Sequence, residues 1–293
     1  MKRYLYSSFL LCLVACEAPY IGEPVSPEPE EEPNVVIRVS GFEQIPFEDA
    51  IPAFPTRADE EVVDICSRLN FVVYANGEKV KSLAQKRGDK DYGTAAFNLP
   101  DGTYTFAVIG HNSDGTCTVT SLDKISFKDN RVTDTFVYSG DIEVSSETHT
   151  YDIELQRAVA MVRIVVADEI PSDVRQMQFY YTGGSSTLSA LTGFGSVNSR
   201  QTVKMEVQEG QNQFELYTFP HAETGELKLT VTPLDATGEA WGTPVVFENV
   251  PVRRNRITRY TGDFFTGSSG QKSELSFHLT ASSAWDDEII YAP

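Results

Sequence analysis

The chain has 293 residues, a formal net charge of -18, 41% hydrophobic residues and 11% aromatic residues. That acidic balance argues against nucleic acid as a partner and against adhesion to anionic lipid through basic patches. The length leaves room for two domains of about 130 residues each once the N-terminal segment is set aside.

Residues 1–15 carry Lys2 and Arg3 and then an uncharged run from Tyr4 to Ala15. About a dozen apolar residues fall well short of the roughly 20 that span a bilayer, so the run reads as an export signal. Leu13, Val14 and Ala15 stand directly before Cys16, which resembles the lipobox of bacterial lipoproteins. That resemblance implies cleavage before Cys16, a diacylglyceryl group on its thiol and a palmitate-type acyl chain on the new amine. Each buried methylene contributes about 0.8 kcal/mol, so three chains hold a protein almost irreversibly in a leaflet. The alternative is an ordinary secretory signal with an incidental cysteine. Loss of Lys2 and Arg3 takes the net charge from -18 to -20. Residues 16–33 then form a lipidated acidic tether, EAPYIGEPVSPEPEEEP after the cysteine. Its prolines and glutamates cannot build a core, and an extended polyproline conformation spans about 50 Å.

From Asn34 the pattern changes to short alternating runs. VVIRVSGF places Val35, Ile37 and Val39 on one face. LNFVVY ends at Asn76-Gly77, a dipeptide suited to a type I′ hairpin. TYTFAVIG, KISF, DTFVY, TYDIEL and MVRIVV follow at spacings of about ten to fifteen residues, and later MQFYY, QFELYTF, LKLTV, VVFENV and LSFHL. Period-two alternation with Asn, Asp, Gly and Pro punctuation predicts an all-β chain of sandwiches. The boundary is expected near Leu155 to Arg157, giving N-terminal (34–155) and C-terminal (156–293) β-sandwiches.

Four cysteines become two after Cys12 is removed and Cys16 lipidated. Cys66 and Cys117 are a candidate disulfide in an exported protein, closing a loop of about 50 residues that is worth about 4 kcal/mol in the loop-entropy model. Two buried free thiols are the alternative.

FPTRAD, AFNLPDGTYTFAVIGHNSDG, QRAVAMVRIVV, YYTGGSST and YTFPHAE, in this order and behind the lipobox, resemble the fimbrillin superfamily of Bacteroidota, most of all its FimB-type fimbrial anchor lipoproteins. The resemblance covers essentially the whole mature chain. It implies two tandem transthyretin-like β-sandwich domains and assembly by β-strand exchange. In polymerising members a protease cuts after an arginine that follows the first strand, and the emptied groove takes a neighbour's C-terminal donor strand. Anchor members are expected to keep lipid and first strand. Here the groove filler is Val35, Ile37 and Val39, and the candidate cleavage site is Arg57, which also reads as an ordinary loop arginine. The candidate C-terminal docking strand is Leu275, Phe277 and Leu279 with Trp285, Ile289 and Ile290 beyond a small-residue break at Ala281 to Ala284. Whether it enters a neighbour or closes its own domain stays open. The implied partners are fimbrial major or minor pilin subunits, the outer membrane through the lipid, and a host ligand in cell adhesion; the implied location is the cell surface and the fimbrium.

No catalytic constellation, cofactor motif or metal-ligand spacing accompanies His111, His149, His221 or His278. The acidic pairs Glu60-Glu61 and Asp286-Asp287 and the run Arg253 to Arg256 read as solvated charge. The rivals to an anchor are a protease-processed stalk or tip pilin, and a surface glycan-binding lipoprotein, which needs Tyr180, Tyr181 or Trp241 outside the core.

Overall fold

A computed structural model describes residues 32–42, 65–145, 147–265 and the backbone of 280–282. These residues are all-β. In chain order the strands are β1 (Val35–Phe42), β2 (Arg68–Ala75), β3 (Glu78–Lys86), β4 (Thr94–Phe97), β5 (Gly102–His111), β6 (Thr118–Ser121), β7 (Lys124–Ser126), β8 (Thr135–Val144) and β9 (His149–Arg157). There follow β10 (Ala160–Val166), β11 (Gln176–Thr182), β12 (Thr187–Leu188), β13 (Gln201–Glu206), β14 (Gln213–Thr218), β15 (Thr224–Leu234), β16 (Val245–Arg253), β17 (Ile257–Gly262) and β18 (Thr280–Ser282).

One strand order is used twice. A three-stranded layer, β4-β1-β9, and a four-stranded layer, β3-β2-β5-β8, are joined only where β8 and β9 pair at Phe136–Arg157 and Val137–Gln156. After Ala160 the pattern returns as β14-β10-β17 and β13-β11-β15-β16. In both, the central strand of the small layer is antiparallel to one neighbour and parallel to the other. The second set carries one strand more: β18 pairs antiparallel with β17.

Residues of alternating apolar character fill two cores between these layers, one from Val35 to Leu155 and one from Ala160 to Phe265. LNFVVY does not alternate, and the structure shows why. The layer holding β2 is covered on both faces, so Phe71 and Val73 enter the first core while Val72 and Tyr74 enter a third. Asn76 (φ 52°) and Gly77 (φ 83°) make the left-handed turn that leads into β3. The edge strand β3 is polar and largely exposed, so hydrophobic alternation does not reveal it, whereas Val203 and Met205 of the other edge strand, β13, pack against the second core.

The third core lies between the two strand sets. Ile109, Ile125, Phe127 and Val137 meet Val159, Leu188 and Phe219 there, and β12 joins the small sheet β12-β7-β6 by pairing Thr187 with Ser126 and Leu188 with Ile125. From Pro33 onward the described residues form one compact unit.

Candidate assembly site: the first strand and the sheet edges

Strand β1 lies between two others, pairing with β4 along Val35–Arg38 and with β9 along Val35–Phe42. Val35 and Ile37 are fully buried and Val39 is 5% exposed. Each buried aliphatic side chain of this size contributes about 1.5–3 kcal/mol. Asn34 fastens the strand's start: its side chain donates to Leu99 O (2.8 Å) and accepts from Leu99 N–H (3.0 Å), while its carbonyl accepts from His149 N–H (2.9 Å). At the other end Phe42 stands edge-on to Phe136 at 4.9 Å, and the Arg157 guanidinium lies 4.6 Å over that same Phe136 ring. Removing β1 would leave a slot between β4 and β9 lined by apolar side chains and unpaired backbone groups.

Arg157, from the QRAVAM segment, is a bolt between the two strand sets. It grips Asp134 through two bonds of 2.8 and 3.0 Å and donates to Asn255 Oδ1 at 3.0 Å. Asn255 is buried with φ 56°, and its N–H donates to Val159 O. The TGGSST segment has the same purpose. A Cβ on Gly184 would collide with Thr218 Oγ1, and one on Gly183 with Glu226 O. Ser185 and Phe219, the latter from YTFPHAE, exchange backbone bonds at 3.0 Å. This close approach sends β12 across to β7.

Several expected site residues lie elsewhere or beyond view. Cys16, Arg57, Leu275, Phe277, Leu279, Trp285, Ile289 and Ile290 fall outside the described residues. Cys66 and Cys117, the candidate disulfide, are unbridged in the structure. Both are free and buried, Cys66 in the first core and Cys117 in the third, on opposite faces of the layer holding β5. Burial pushes the Cys117 thiol up to about 12 and raises Cys66 further. Tyr181 and Trp241 are core residues at 1% and 9% exposure, which leaves Tyr180 as the surface member of that trio. The small-residue break read at Ala281 to Ala284 overlaps a strand, β18 (Thr280–Ser282), which pairs with β17 of its own set.

His111 has no exposed face. Its ring nitrogens engage the Asn70 amide (2.9 Å) and the Ser113 hydroxyl (2.6 Å), and all three residues are buried. The set has hydrolase-like composition, but Ser113 also donates to Gly115 O. Burial, with Arg68 adding, lowers the His111 pKa to about 4. Arg253 and Arg254 share Glu223 at 3.2 Å. Among the described residues no cluster of three His, Cys, Asp or Glu side chains is placed to hold a metal.

A family model described as "Family of unknown function (DUF6562)" matches residues 42–292. The chain belongs to the DUF6562 family. No curated protein matches it. Among solved structures, this DUF6562 chain is similar to a candidate adhesin from Bacteroides ovatus, at 12% identity and TM-score 0.49, over 86% of this chain and 93% of that one. It is also similar to a Bacteroides thetaiotaomicron chain described as a candidate polysaccharide-binding protein (DUF1812), at 12% identity and TM-score 0.47, over 88% and 100%. A third is the fimbrial anchor protein Mfa2 from Porphyromonas gingivalis, at 12% identity and TM-score 0.42, over 85% and 98%.

Proposed function

We propose that this chain is a non-enzymatic structural subunit of a fimbria, the one that tethers the fibre to the outer membrane and ends its growth. In this reading Cys16 carries the lipid, residues 16–33 are the spacer, and residues 34–155 and 156–293 are two transthyretin-like sandwiches. Arg57 stays uncut, and the C-terminal region engages a pilin. The observation that carries the reading is the placement of β1, which is central in its layer and buried along one face. Held there, the strand fills the groove that a neighbour's donated strand would otherwise enter. The order of sequence fragments that resemble fimbrial anchor lipoproteins supports the same reading. The test is deletion of the gene, with complementation by the unaltered chain and by Cys16→Ala. Fibres of altered length that shed into the medium, rescued only by the unaltered chain, are expected. Fibres unchanged in length and attachment would overturn the anchor role.

A further inference from the structure

We propose that the turn Arg87-Gly88-Asp89 is a receptor-binding loop, read by an integrin-type site that holds the aspartate through a bound divalent cation and the arginine through a carboxylate. The tripeptide opens the connection 87–93 between β3 and β4, the two ends of the strand order β3-β2-β5-β8-β9-β1-β4. The Lys86 carbonyl accepts from the Asp89 N–H at 3.0 Å, and Gly88 has φ 95°. A closed four-residue turn with positive φ at its third residue is type II, which glycine adopts without steric cost. A Cβ on Gly88 would meet nothing within 4 Å. The glycine therefore serves the backbone, and no part of the described fold overhangs the turn.

The turn is held from both sides. The Lys86 N–H donates to Asp89 Oδ2 at 2.9 Å, and the Arg87 N–H donates to Ser67 O at 2.8 Å. Beyond the turn, the Tyr92 N–H donates to Asp89 O at 3.2 Å, and the Tyr92 hydroxyl donates to Cys66 O at 2.7 Å. Buried Gln85 fastens the far side: its amide donates to Asp91 O (3.0 Å) and Thr94 O (2.7 Å), and its oxygen accepts from the Gly93 N–H (3.0 Å). A loop ordered in this way loses little conformational freedom when a partner docks.

The chemistry of the turn selects the partner. Arg87, Gly88 and Asp89 are all exposed. Among the described residues the Arg87 guanidinium has no hydrogen bond or ion pair, and Asp89 uses only Oδ2, which leaves Oδ1 to a partner. Two Cα–Cα steps keep the two residues within about 7 Å of each other, so one site must meet both charges. A guanidinium fork fits a carboxylate, and an open carboxylate oxygen fits a hard divalent cation such as Mg²⁺. That pair of groups is what an integrin-type site presents to Arg-Gly-Asp in an exposed turn. A polyanion fits less well, because Asp89 stands inside the basic run from Lys86 to Lys90 and Asp91 follows it. The site rests neither on the anchor reading nor on the fate of Arg57.

The test immobilises the full-length chain in detergent and passes over it, in Mg²⁺, a panel of purified integrin ectodomains that bind the peptide Gly-Arg-Gly-Asp-Ser-Pro. Saturable binding of at least one member is expected, abolished by EDTA and competed by that peptide but not by its Asp-to-Glu counterpart. Asp89→Asn keeps an oxygen for the Lys86 N–H while removing the charge, and Arg87→Gln disturbs no hydrogen bond of the loop. Each is expected to weaken binding about tenfold or more at an unchanged urea midpoint. Arg131→Gln, at an exposed arginine outside the turn, is expected to change nothing. The EDTA and peptide steps use the unsubstituted chain, so they decide the matter even where a variant fails to fold. Binding by no member of the panel, or binding indifferent to the peptide or to both substitutions, would overturn the proposal. Binding that survives EDTA and yields to heparin would overturn it too, by assigning the basic residues to a polyanion.

Discussion

The Arg157 guanidinium donates to Asn255 Oδ1 at 3.0 Å across 98 positions of sequence, while its other nitrogens grip Asp134. With side-chain exposures of 12% and 21%, Arg157 and Asp134 form a largely buried pair. Taking away one partner leaves the other's charge stranded, which costs about 3–5 kcal/mol. Arg157→Ala is therefore expected to lower the urea midpoint by that order. Arg157→Lys should fall between, because an ammonium cannot make the fork. An unchanged midpoint in Arg157→Ala would contradict the bolt.

Strand β1 offers a paired contrast. Ile37→Ala empties a fully buried site and is expected to destabilise by about 2–5 kcal/mol. Its neighbour Arg38 lies 3.4 Å from Asp152 with both side chains more than half exposed, and Arg38→Ala should change stability by less than about 1 kcal/mol. Equal effects in denaturant titrations would refute the assigned faces.

Gly184→Ala drives a methyl group into the Thr218 hydroxyl. Overpacking of this kind costs about 1–3 kcal/mol. Adding Thr218→Ala should restore part of the loss, and a double variant no better than the single one would show that the cost arises elsewhere.

The His111 pKa is lowered to about 4 in the fold from an ordinary value of 6.5. Between these values the unfolded chain binds the extra proton, so stability falls as pH drops from 6.5 towards 4 and is unaffected by this group above 6.5. The loss is at most about 3 kcal/mol. Unfolding followed from pH 7 to 5 should show this slope, and His111→Gln should flatten it. A slope that persists in His111→Gln would assign it to other groups.

The sequence shows some of this arrangement and hides the rest, for identifiable reasons. Alternation in VVIRVSGF marks the buried face of β1, and Asn76-Gly77 marks a turn that only left-handed geometry allows. Alternation tells which face is buried but not which strand lies alongside, so the parallel partners β9 and β17 were invisible. Spacing likewise gives the loop between Cys66 and Cys117 but not that they face opposite sides of one layer. The small-residue break read at Ala281 to Ala284 overlaps β18 (Thr280–Ser282), because edge strands of small residues lack an apolar pattern. The fragments RAVAM and TGGSST, weak as separate motifs, converge on one junction through Arg157 and Gly184, which only the fold brings together.

The thiols give a further check. Alkylation in the native state should leave the Cys66 and Cys117 peptides unmodified, and unfolding should expose both, since burial keeps the two thiols protonated. A Cys66–Cys117 crosslinked peptide under non-reducing conditions would contradict the free pair.

The most direct measurement is mass spectrometry of the N-terminal peptide from isolated outer membranes and from sheared fibres. Expected is an acylated peptide beginning at Cys16, continuous through Arg57, in the membrane fraction. A chain beginning at Ala58 in the fibres would contradict the retained anchor and make this a processed pilin whose β1 slot accepts a donor.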